Sequence, residues 1–395
     1  MLRLRCPLLF LVLFVPTLLL SQKSIKGKII DEKGIGVPGA SVFLNGTSFG
    51  ITANNNGEFE LSIPEGKFDL IISSIGFETY SKTIFTKELP SIMEIRLKTK
   101  SSELENVIIQ QYEKDGWAQF GKFFIENFIG TSSTAKDCII KNPEVIHFIN
   151  SKVKNEIIAI ANEPLIIEND ALGYTLHYQL ETFSYNFNNH YLVVLGYPFF
   201  DQQSGSEGKM KRWEKRRKEV YNGSMLHFMR AVYLNRLAEE GFEIHRLIKI
   251  PNQEKARIKL VMVKNGLNKS TERIPKDSMY YYNRILKQQD EFETIFKSIL
   301  TGDSIAYAIN KTAAALDFQN YLFILYKNKI APPEYRQITM NKSLNMISQL
   351  YLINNKPVEV EPNGSYYEPL DLVTLGYWSW SEKIATTLPL DYVPK

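Results

Sequence analysis

The chain has 395 residues, of which 44% are hydrophobic and 23% charged. This composition excludes a disordered chain and supplies enough apolar residues for two domains with cores of their own. The formal net charge of +4 comes from 47 basic and 43 acidic side chains. Such a balance implies no general attraction to nucleic acid or to anionic membranes.

The first 21 residues have the three parts of a secretory signal peptide. Arg3 and Arg5 precede an apolar run of 13 residues, Leu8–Leu20, which Ser21 follows. A membrane-spanning helix needs about 20 consecutive apolar residues, so this run is short for an anchor. We predict cleavage after Ser21, an exported protein of the periplasm or outer membrane, and no transmembrane segment after cleavage. An uncleaved anchor is the alternative.

Cleavage at this point also removes Cys6 and leaves Cys138 as the remaining cysteine. A disulfide within the mature chain is then impossible, so burial of apolar residues must stabilise it. Cys138 lies in the apolar run CII, where a cysteine more often fills a core than acts as a nucleophile.

The segment 25–98 alternates apolar and polar residues between turn signals. Asn45-Gly46 and Asn56-Gly57 suit the ends of hairpins, and Phe59, Leu61 and Ile63 share one face of a strand. About seven short antiparallel strands result. The sequence predicts a β-sandwich over residues 22–100, followed by a linker at 101–114.

This segment also carries a family resemblance. The stretches GKIID, VPGASV, TANNNGEF and IGFET occur in an order and spacing that resemble the carboxypeptidase-regulatory-like domain, a transthyretin-like sandwich. The resemblance implies a non-catalytic module. A zinc carboxypeptidase needs a His and a Glu in one short segment plus a distant His. None of the five histidines begins an H-x-x-E, so the sequence indicates no metal site and no carboxypeptidase.

The same module precedes the plug and barrel of TonB-dependent receptors, and SSELENVII at 101–109 resembles the segment that follows it there. A spanning barrel needs many alternating segments of about 10 residues. Too few residues follow Ile109 for a plug and a large barrel, so we do not expect a receptor.

Residues 115–395 predict an α+β domain with an antiparallel sheet and several helices. Trp117, Phe120, Phe124 and Phe128 form one helical stripe that ends before Gly130. Six strand-like segments follow: CII, EVIHFI, NEIIAIA, PLIIE, ALGYTLHYQLETFSYNF and HYLVVLGYPFF. In the fifth, the apolar positions change parity near Glu181, which predicts a bulge there.

The basic segment KMKRWEKRRKEVY crowds seven Lys or Arg into residues 209–218. Nucleic acid is one interpretation, because cations bind phosphates. However, Met210, Trp213, Val220 and Tyr221 lie on one stripe of a helical wheel, so an amphipathic helix docked on the sheet is favoured and no nucleic-acid partner is expected.

Arg217 falls on this apolar stripe. A buried guanidinium needs a carboxylate or several carbonyls, and we expect Glu168 or Asp170 as its partner. A bound anion is the alternative. Arg217, with Trp213 and Glu168, is therefore the candidate binding site, without a cofactor.

Further elements follow from the pattern of the remaining chain. Ser224 predicts a helix cap, with Gly241 as the residue that ends the helix. GFEIHRLIKI, ARIKLVMVK, YLFILY, RQITM and QLYLI are typical of strands, Met279–Leu300 of a helix, and YWSWSEKIATTLP of a short terminal helix.

The segments RWEKRRKEVYNGSMLHFMRAVYLNRLAEEGFEI and LGYWSWSEKIATTLPLDYVP resemble secreted Bacteroidota proteins that contain a carboxypeptidase-like regulatory domain. The resemblance spans nearly the whole mature chain, but it implies no known reaction for the C-terminal region. It favours an envelope protein that binds a protein or glycan or takes part in envelope assembly. Trp378 and Trp380 could stack on sugars, although core packing is the more frequent role of such a pair.

An envelope hydrolase with a site assembled from distant residues is the alternative function. G-x-S-x-G, H-E-x-x-H and the P-loop motif are absent from the sequence. A buried His227 or His177 bonded to a serine would support it, and scattered histidines bonded within the core would not.

Overall fold

The computed structural model describes residues 23–100, 112–264, 275–339 and 344–395. The chain divides into two units: one runs to Phe43 and again over Phe49–Thr99, and the other contains Leu44–Ser48 and Lys100–Lys395. The predicted signal peptide, Cys6 and most of the predicted linker lie outside the described residues. The domain boundaries placed there stay predictions.

The first unit consists of seven strands. They are β1 (Lys23–Ile30), β2 (Ser41–Leu44), β3 (Gly50–Thr52), β4 (Glu58–Ile63), β5 (Lys67–Ser73), β6 (Tyr80–Phe85) and β7 (Met93–Arg96). One sheet has the order β4-β1-β7 and the other β3-β2-β5-β6. Alternate residues such as Ile29, Leu61 and Ile63 are buried, as their period of two predicts. The all-β fold is confirmed.

One pairing differs from the predicted antiparallel arrangement. β1 and β7 are parallel, with Ile29 opposite Ile95. Five strands separate these two along the chain, so no tight hairpin joins them and the constraint to run antiparallel is lifted.

The second unit combines helices and strands, as predicted. The helices are α1 (Gly116–Phe128), α2 (Glu207–Tyr221), α3 (Met225–Tyr233), α4 (Gln253–Lys264), α5 (Lys276–Leu286), α6 (Pro333–Thr339) and α7 (Tyr377–Ser381). The strands are β8 (Cys138–Ile140), β9 (Ile146–Ser151), β10 (Glu156–Ala161), β11 (Leu165–Asn169), β12 (Tyr174–Asn186), β13 (Tyr191–Gln202), β14 (Phe242–Pro251), β15 (Glu291–Ile299), β16 (Ala306–Ala308), β17 (Ala314–Leu316), β18 (Tyr321–Ile330), β19 (Asn345–Leu352), β20 (Val358–Val360) and β21 (Leu372–Gly376).

Strands β8–β13 form an antiparallel sheet with the order β8-β11-β12-β10-β9, in which β13 also pairs with β12; consecutive strands are not always neighbours, and the sheet is called the meander sheet only as a label. β12 pairs with β11 near its start and with β10 near its end, which leaves its other edge to β13. The register of β12 against β13 shifts between Leu180 and Thr182, so the predicted bulge is confirmed. Helix α1 covers one face: the ring of Phe124 lies 4.7 Å from Phe183, and that of Phe128 lies 5.1 Å from Tyr178.

A second antiparallel sheet, the C-terminal sheet, has the order β15-β14-β18-β19-β21. Phe228 and Met229 of α3 are fully buried in the core that this sheet shares with α3. Ser224 caps the helix, as predicted, because its Oγ accepts the N–H of His227 at 3.1 Å. In the described part of the chain, no helix is both long and apolar enough to cross a membrane.

Three predicted elements are wrong. ARIKLVMVK lies in helix α4, which Asn252 caps by accepting the N–H of Lys255 at 3.0 Å. The predicted helix Met279–Leu300 ends at Leu286, and its second half pairs with β14 as strand β15. RQITM lies mainly in α6, which begins at Pro333, a residue suited to the first turn.

Two details of the predicted helices also differ. Met210 is 45% exposed, because the buried side of α2 is narrower than the predicted stripe and consists of Trp213, Arg217 and Tyr221. Helix α3 ends at Tyr233, so Gly241 does not terminate it. Gly241 instead takes a positive φ of 88° directly before β14.

Candidate functional site

A cleft of about 460 Å³ lies in the second unit, where β13 of the meander sheet and β21 of the C-terminal sheet both line it. The start of α3, the segment before β21, helix α7 and the residues after it complete its walls. Leu and Val side chains form the largest group in the lining, beside seven hydroxyl-bearing side chains, His190 and the neighbouring charges Glu382 and Lys383. Apolar clefts of this size with few polar groups are typical of ligand sites.

Both strands that line the cleft lie at the edges of their sheets. Over Tyr191–Leu195, β13 pairs with β12 alone, and β21 pairs with β19 alone among the described residues. Unpaired strand edges present backbone N–H and C=O groups that can bond to another chain. The cleft therefore offers backbone hydrogen-bonding groups as well as aliphatic side chains.

Glu382 lies where the cleft meets the N-terminus of α3. Its Oε1 accepts the N–H of Met225, the first residue of that helix, at 3.0 Å. A helix N-terminus favours a negative charge. Glu382 is exposed to the cleft, but desolvation by the surrounding protein still raises the pKa of its carboxyl above the usual range.

Lys383, the next residue, is partly buried in the same wall. Burial lowers the pKa of this lysine to about 8, and the neighbouring carboxylate of Glu382 opposes the shift. The two shifts move the pKa values of the pair toward neutrality.

Arg217, the first candidate from the sequence, is buried but lies outside this cleft. Its Nε donates to the carbonyl of Leu172 at 2.6 Å and its Nη2 to that of Gly173 at 3.1 Å. Its guanidinium carbon lies 3.9 Å from the centre of the Tyr174 ring. The guanidinium thus holds the turn between β11 and β12 through carbonyls.

The carboxylate partners expected for Arg217 are wrong. Glu168 pairs with Lys141 at 3.1 Å, and Asp170 pairs with Lys209 at 2.6 Å, each at a half-exposed position. Glu168 and Asp170 alternate with the buried Ile167 and Asn169, so their carboxylates are on the exposed side, where Lys141 and Lys209 lie. The structure therefore does not bring Glu168 and Arg217 together.

Trp213 lies one turn before Arg217 on the same face of α2 and is 1% exposed. Its Nε1 donates to the carbonyl of Asp170 at 2.7 Å, and its ring packs against Gly173. Trp213 and Arg217 together therefore fix one turn of the meander sheet. Their role as ligand-binding residues stays a prediction.

The five histidines are spread over the second unit, and none of their ring nitrogens bonds to a serine side chain in the part of the chain that the structure describes. Their contacts are His147 with Asn162, His177 with Phe199, His190 with Tyr185, His227 with Glu240 and His245 with Glu243. This arrangement does not support the hydrolase alternative.

His227 is the most buried of them. Its Nδ1 accepts the N–H of Gly223 at 3.1 Å, which requires the neutral ring to carry its proton on Nε2, 3.0 Å from Glu240. Burial lowers the pKa of His227 below 6.5, and Glu240 opposes this shift. A protonated ring would direct two donors at each other where Nδ1 meets Gly223.

This arrangement predicts acid sensitivity. Below pH 6.5 the unfolded chain binds a proton at His227 more readily than the folded chain, so stability is lost as the pH falls. Each pKa unit of depression contributes up to about 1.4 kcal/mol. Urea unfolding at pH 7.5 and 5.0 should show a smaller loss of stability in His227→Gln than in wild type.

His190→Gln is the control, because His190 lies on an exposed turn. Its loss of stability between the two pH values should match that of wild type. Equal pH dependence in wild type and His227→Gln would contradict the prediction.

Cys138 and the two terminal tryptophans are packed within the fold. Burial raises the pKa of the Cys138 thiol to about 12, which disfavours the thiolate needed of a nucleophile. Trp378 is 1% exposed and donates to the carbonyl of Gly223 at 2.8 Å, while Trp380 donates to Thr131 at 2.9 Å. Trp378 therefore offers no face for sugar stacking.

Sequence reasoning did not identify the cleft residues Glu382 and Lys383. No motif surrounds them, and their position depends on contacts between segments nearly two hundred residues apart. One usable signal was Pro198 inside the strand HYLVVLGYPFF, because proline within a strand indicates a sheet edge.

Comparison with known proteins identifies the N-terminal segment. Residues 25–109 match the family described as the CarboxypepD_reg-like domain, and this part of the chain is such a domain. A TonB-dependent receptor from Formosa agariphila is 28% identical over 92 residues. That match covers 23% of this chain and 9% of the receptor. The predicted carboxypeptidase-regulatory-like domain is confirmed.

Matches among solved structures are weaker. A 3-chlorocatechol 1,2-dioxygenase from Rhodococcus opacus has 12% identity and a TM-score of 0.16, over 19% of this chain and 58% of its own. A DUF3823 family protein from Bacteroides ovatus has 12% identity and a TM-score of 0.17, over 47% of this chain and 82% of its own. A putative membrane-associated protein of unknown function from Bacteroides fragilis has 10% identity and a TM-score of 0.16, over 90% and 97%. These scores are too low to establish a shared fold.

Proposed function

We propose that this chain is an exported cell-envelope protein whose α+β domain binds an apolar ligand in the cleft between β13 and β21. The CarboxypepD_reg-like domain serves it as a non-catalytic accessory module. The observation that carries this proposal is the aliphatic cleft of about 460 Å³ in the second unit. The domain match and the receptor relative support the envelope context.

The lining of the cleft favours an apolar chain over a glycan. Sugars are commonly held by exposed aromatic faces together with many polar groups. Tyr191 and Tyr366 also line this cleft, but Leu and Val side chains form its largest group and Trp378 contributes from a buried position. We further propose that Trp213 and Arg217 shape the meander sheet and do not contact the ligand. Their polar groups bond to carbonyls of Asp170, Leu172 and Gly173.

The uncharged dye N-phenyl-1-naphthylamine tests whether the cleft accepts an apolar ligand. Leu370 lines the cleft and is 51% exposed, so Leu370→Lys should leave the fold intact while placing a charge in the site. Desolvating that ammonium opposes binding, and we expect at least a tenfold weaker affinity for the dye. Fluorescence titration measures it.

Leu234→Lys is the matched control, because Leu234 is 53% exposed and does not line the cleft. Its affinity for the dye should stay within about twofold of wild type. If wild type does not bind the dye, or if both lysine variants bind it equally well, the proposed function is contradicted.

A further inference from the structure

We propose that the ligand of the cleft is an extended, uncharged peptide segment with apolar residues at alternate positions, and that it pairs with the open edge of β13. This inference rests on the proposed function and names its ligand class. It requires that the edge face the cleft, that its backbone groups point outward, and that the lining suit such a peptide.

The cleft meets both strands along their edges. Five consecutive residues of β13, Tyr191–Leu195, line it, as do four consecutive residues of β21, Leu372–Leu375. Successive side chains of a strand point to opposite faces, so a consecutive run borders a cleft only when the strand is seen from its edge. The side chains of Leu192 and Val194 pack against the core that α1 covers, so these residues border the cleft with their main chain.

The direction of the backbone groups follows from the other end of β13. There Phe200 donates its N–H to Thr47 at 3.0 Å, and the carbonyl of Pro198 accepts the N–H of Gly46 at 2.8 Å. The backbone C=O of Pro198 and the backbone N–H of Phe200 therefore point away from β12. Because N–H and C=O groups alternate in direction along an antiparallel strand, those of Leu192 and Val194 point away from it as well.

The bulge does not disturb this alternation. Its extra residue is on β12, between Leu180 and Thr182, whereas Gly196 and Leu195 of β13 are consecutive partners. Within the described residues, no other strand pairs with the edge over Tyr191–Leu195. The outward groups of Leu192 and Val194 are therefore open to a ligand.

The same edge already binds a short piece of this chain. Thr47 forms a parallel bridge with Phe199, beside the hydrogen bonds of Gly46 and Thr47 to β13. An extended ligand would continue this pairing along the five residues Tyr191–Leu195, a length of about 17 Å. The edge of β21 forms the opposite wall, so a single strand between them can bond on either side.

The chemistry of the cleft sets the character of the peptide. Its wall contains Leu and Val side chains such as Val193, Leu195 and Leu372. Its two charged side chains, Glu382 and Lys383, are consecutive residues of opposite charge. A charged ligand residue thus gains little here and loses its hydration. In strand addition the backbone supplies affinity and the alternate side chains supply specificity. The segment 191–196 also lacks the lysine or proline that usually protects an exposed edge.

The test uses the full chain and the dansyl-labelled peptide Thr-Val-Ser-Val-Thr-Val-Ser with an amidated end. Two further peptides carry backbone N-methyl groups, one on the odd-numbered residues and the other on the even-numbered residues. Their side chains are unchanged, and each has lost the N–H donors along one of its two edges. We expect the parent to bind and at least one methylated peptide to bind tenfold or more weakly, measured by fluorescence anisotropy. Amide exchange at Leu192 and Val194 should slow at least tenfold with the parent.

The results separate this inference from the proposed function. If the naphthylamine dye binds but the parent peptide does not, the cleft is an apolar site and strand addition is wrong. Equal binding of all three peptides, or unchanged exchange at Leu192 and Val194, also overturns the inference. If neither dye nor peptide binds, the proposed function fails together with it.

Discussion

Arg217→Leu is expected to lower the free energy of unfolding of the second unit by about 1–3 kcal/mol, since a buried acceptor left without a partner costs about that much. The variant leaves the carbonyl of Leu172 without its guanidinium donor, whereas the carbonyl of Gly173 keeps the N–H of Gln203 at 3.1 Å. It also removes the cation above the Tyr174 ring. A leucine fills part of the space but replaces none of these hydrogen bonds.

Urea unfolding followed by tryptophan fluorescence measures this loss, because all four tryptophans belong to the second unit. Arg212→Leu is the control: Arg212 is exposed on the same helix, and its loss should change stability by less than about 0.5 kcal/mol. A stable Arg217→Leu that no longer bound ligand would contradict the structural role and restore the binding role predicted from the sequence.

Arg217 also shows how far the sequence can lead. The helical period placed it on the apolar stripe of α2, and its burial, with 6% of the residue exposed, agrees with that placement. The period carries no information on its partners, because these are main-chain groups in the turn between β11 and β12. A carbonyl is present at every residue, so composition could not distinguish this turn from Glu168 or Asp170.

Secondary structure was predictable where the pattern was long and regular. The seven strands of the first unit, helix α1 and the bulge in β12 follow from apolar period and parity alone. The errors concentrate at α4, β15 and α6, where short apolar runs fit the helical period of 3.6 residues as well as the strand period of two. In these segments a cap at Asn252 or pairing with β14 decides the outcome, and neither appears in a window of apolar residues.

The cleft could not be predicted in the same way. It depends on two sheets placing the edge of β13 opposite the edge of β21, about 180 residues further along the chain. The sequence shows that HYLVVLGYPFF is a strand, and Pro198 suggests an edge. Whether a second strand covers that edge is decided by tertiary packing, and in the structure β12 alone pairs with residues 191–195.

Gly173→Ala is expected to destabilise the second unit by about 2–5 kcal/mol. Gly173 has a φ of +70°, where a residue with a Cβ costs about 1–2 kcal/mol. Its added Cβ would lie 2.2 Å from Cδ2 of Trp213, and overpacking typically costs a further 1–3 kcal/mol or so. The indole cannot easily withdraw, because its Nε1 is bonded to the carbonyl of Asp170 at 2.7 Å.

Gly46→Ala separates the two contributions. Gly46 has the same φ of +70° and also belongs to the second unit, but its added Cβ would meet only the flexible Leu390 side chain at 3.1 Å. Urea unfolding should therefore show a loss of about 1–2 kcal/mol for this variant. In Gly173→Ala combined with Trp213→Ala, the steric part should disappear, so the double variant should lose less than the sum of the single changes. Additive losses would mean that the Trp213 ring moves away freely and that the turn it packs against is not held by α2.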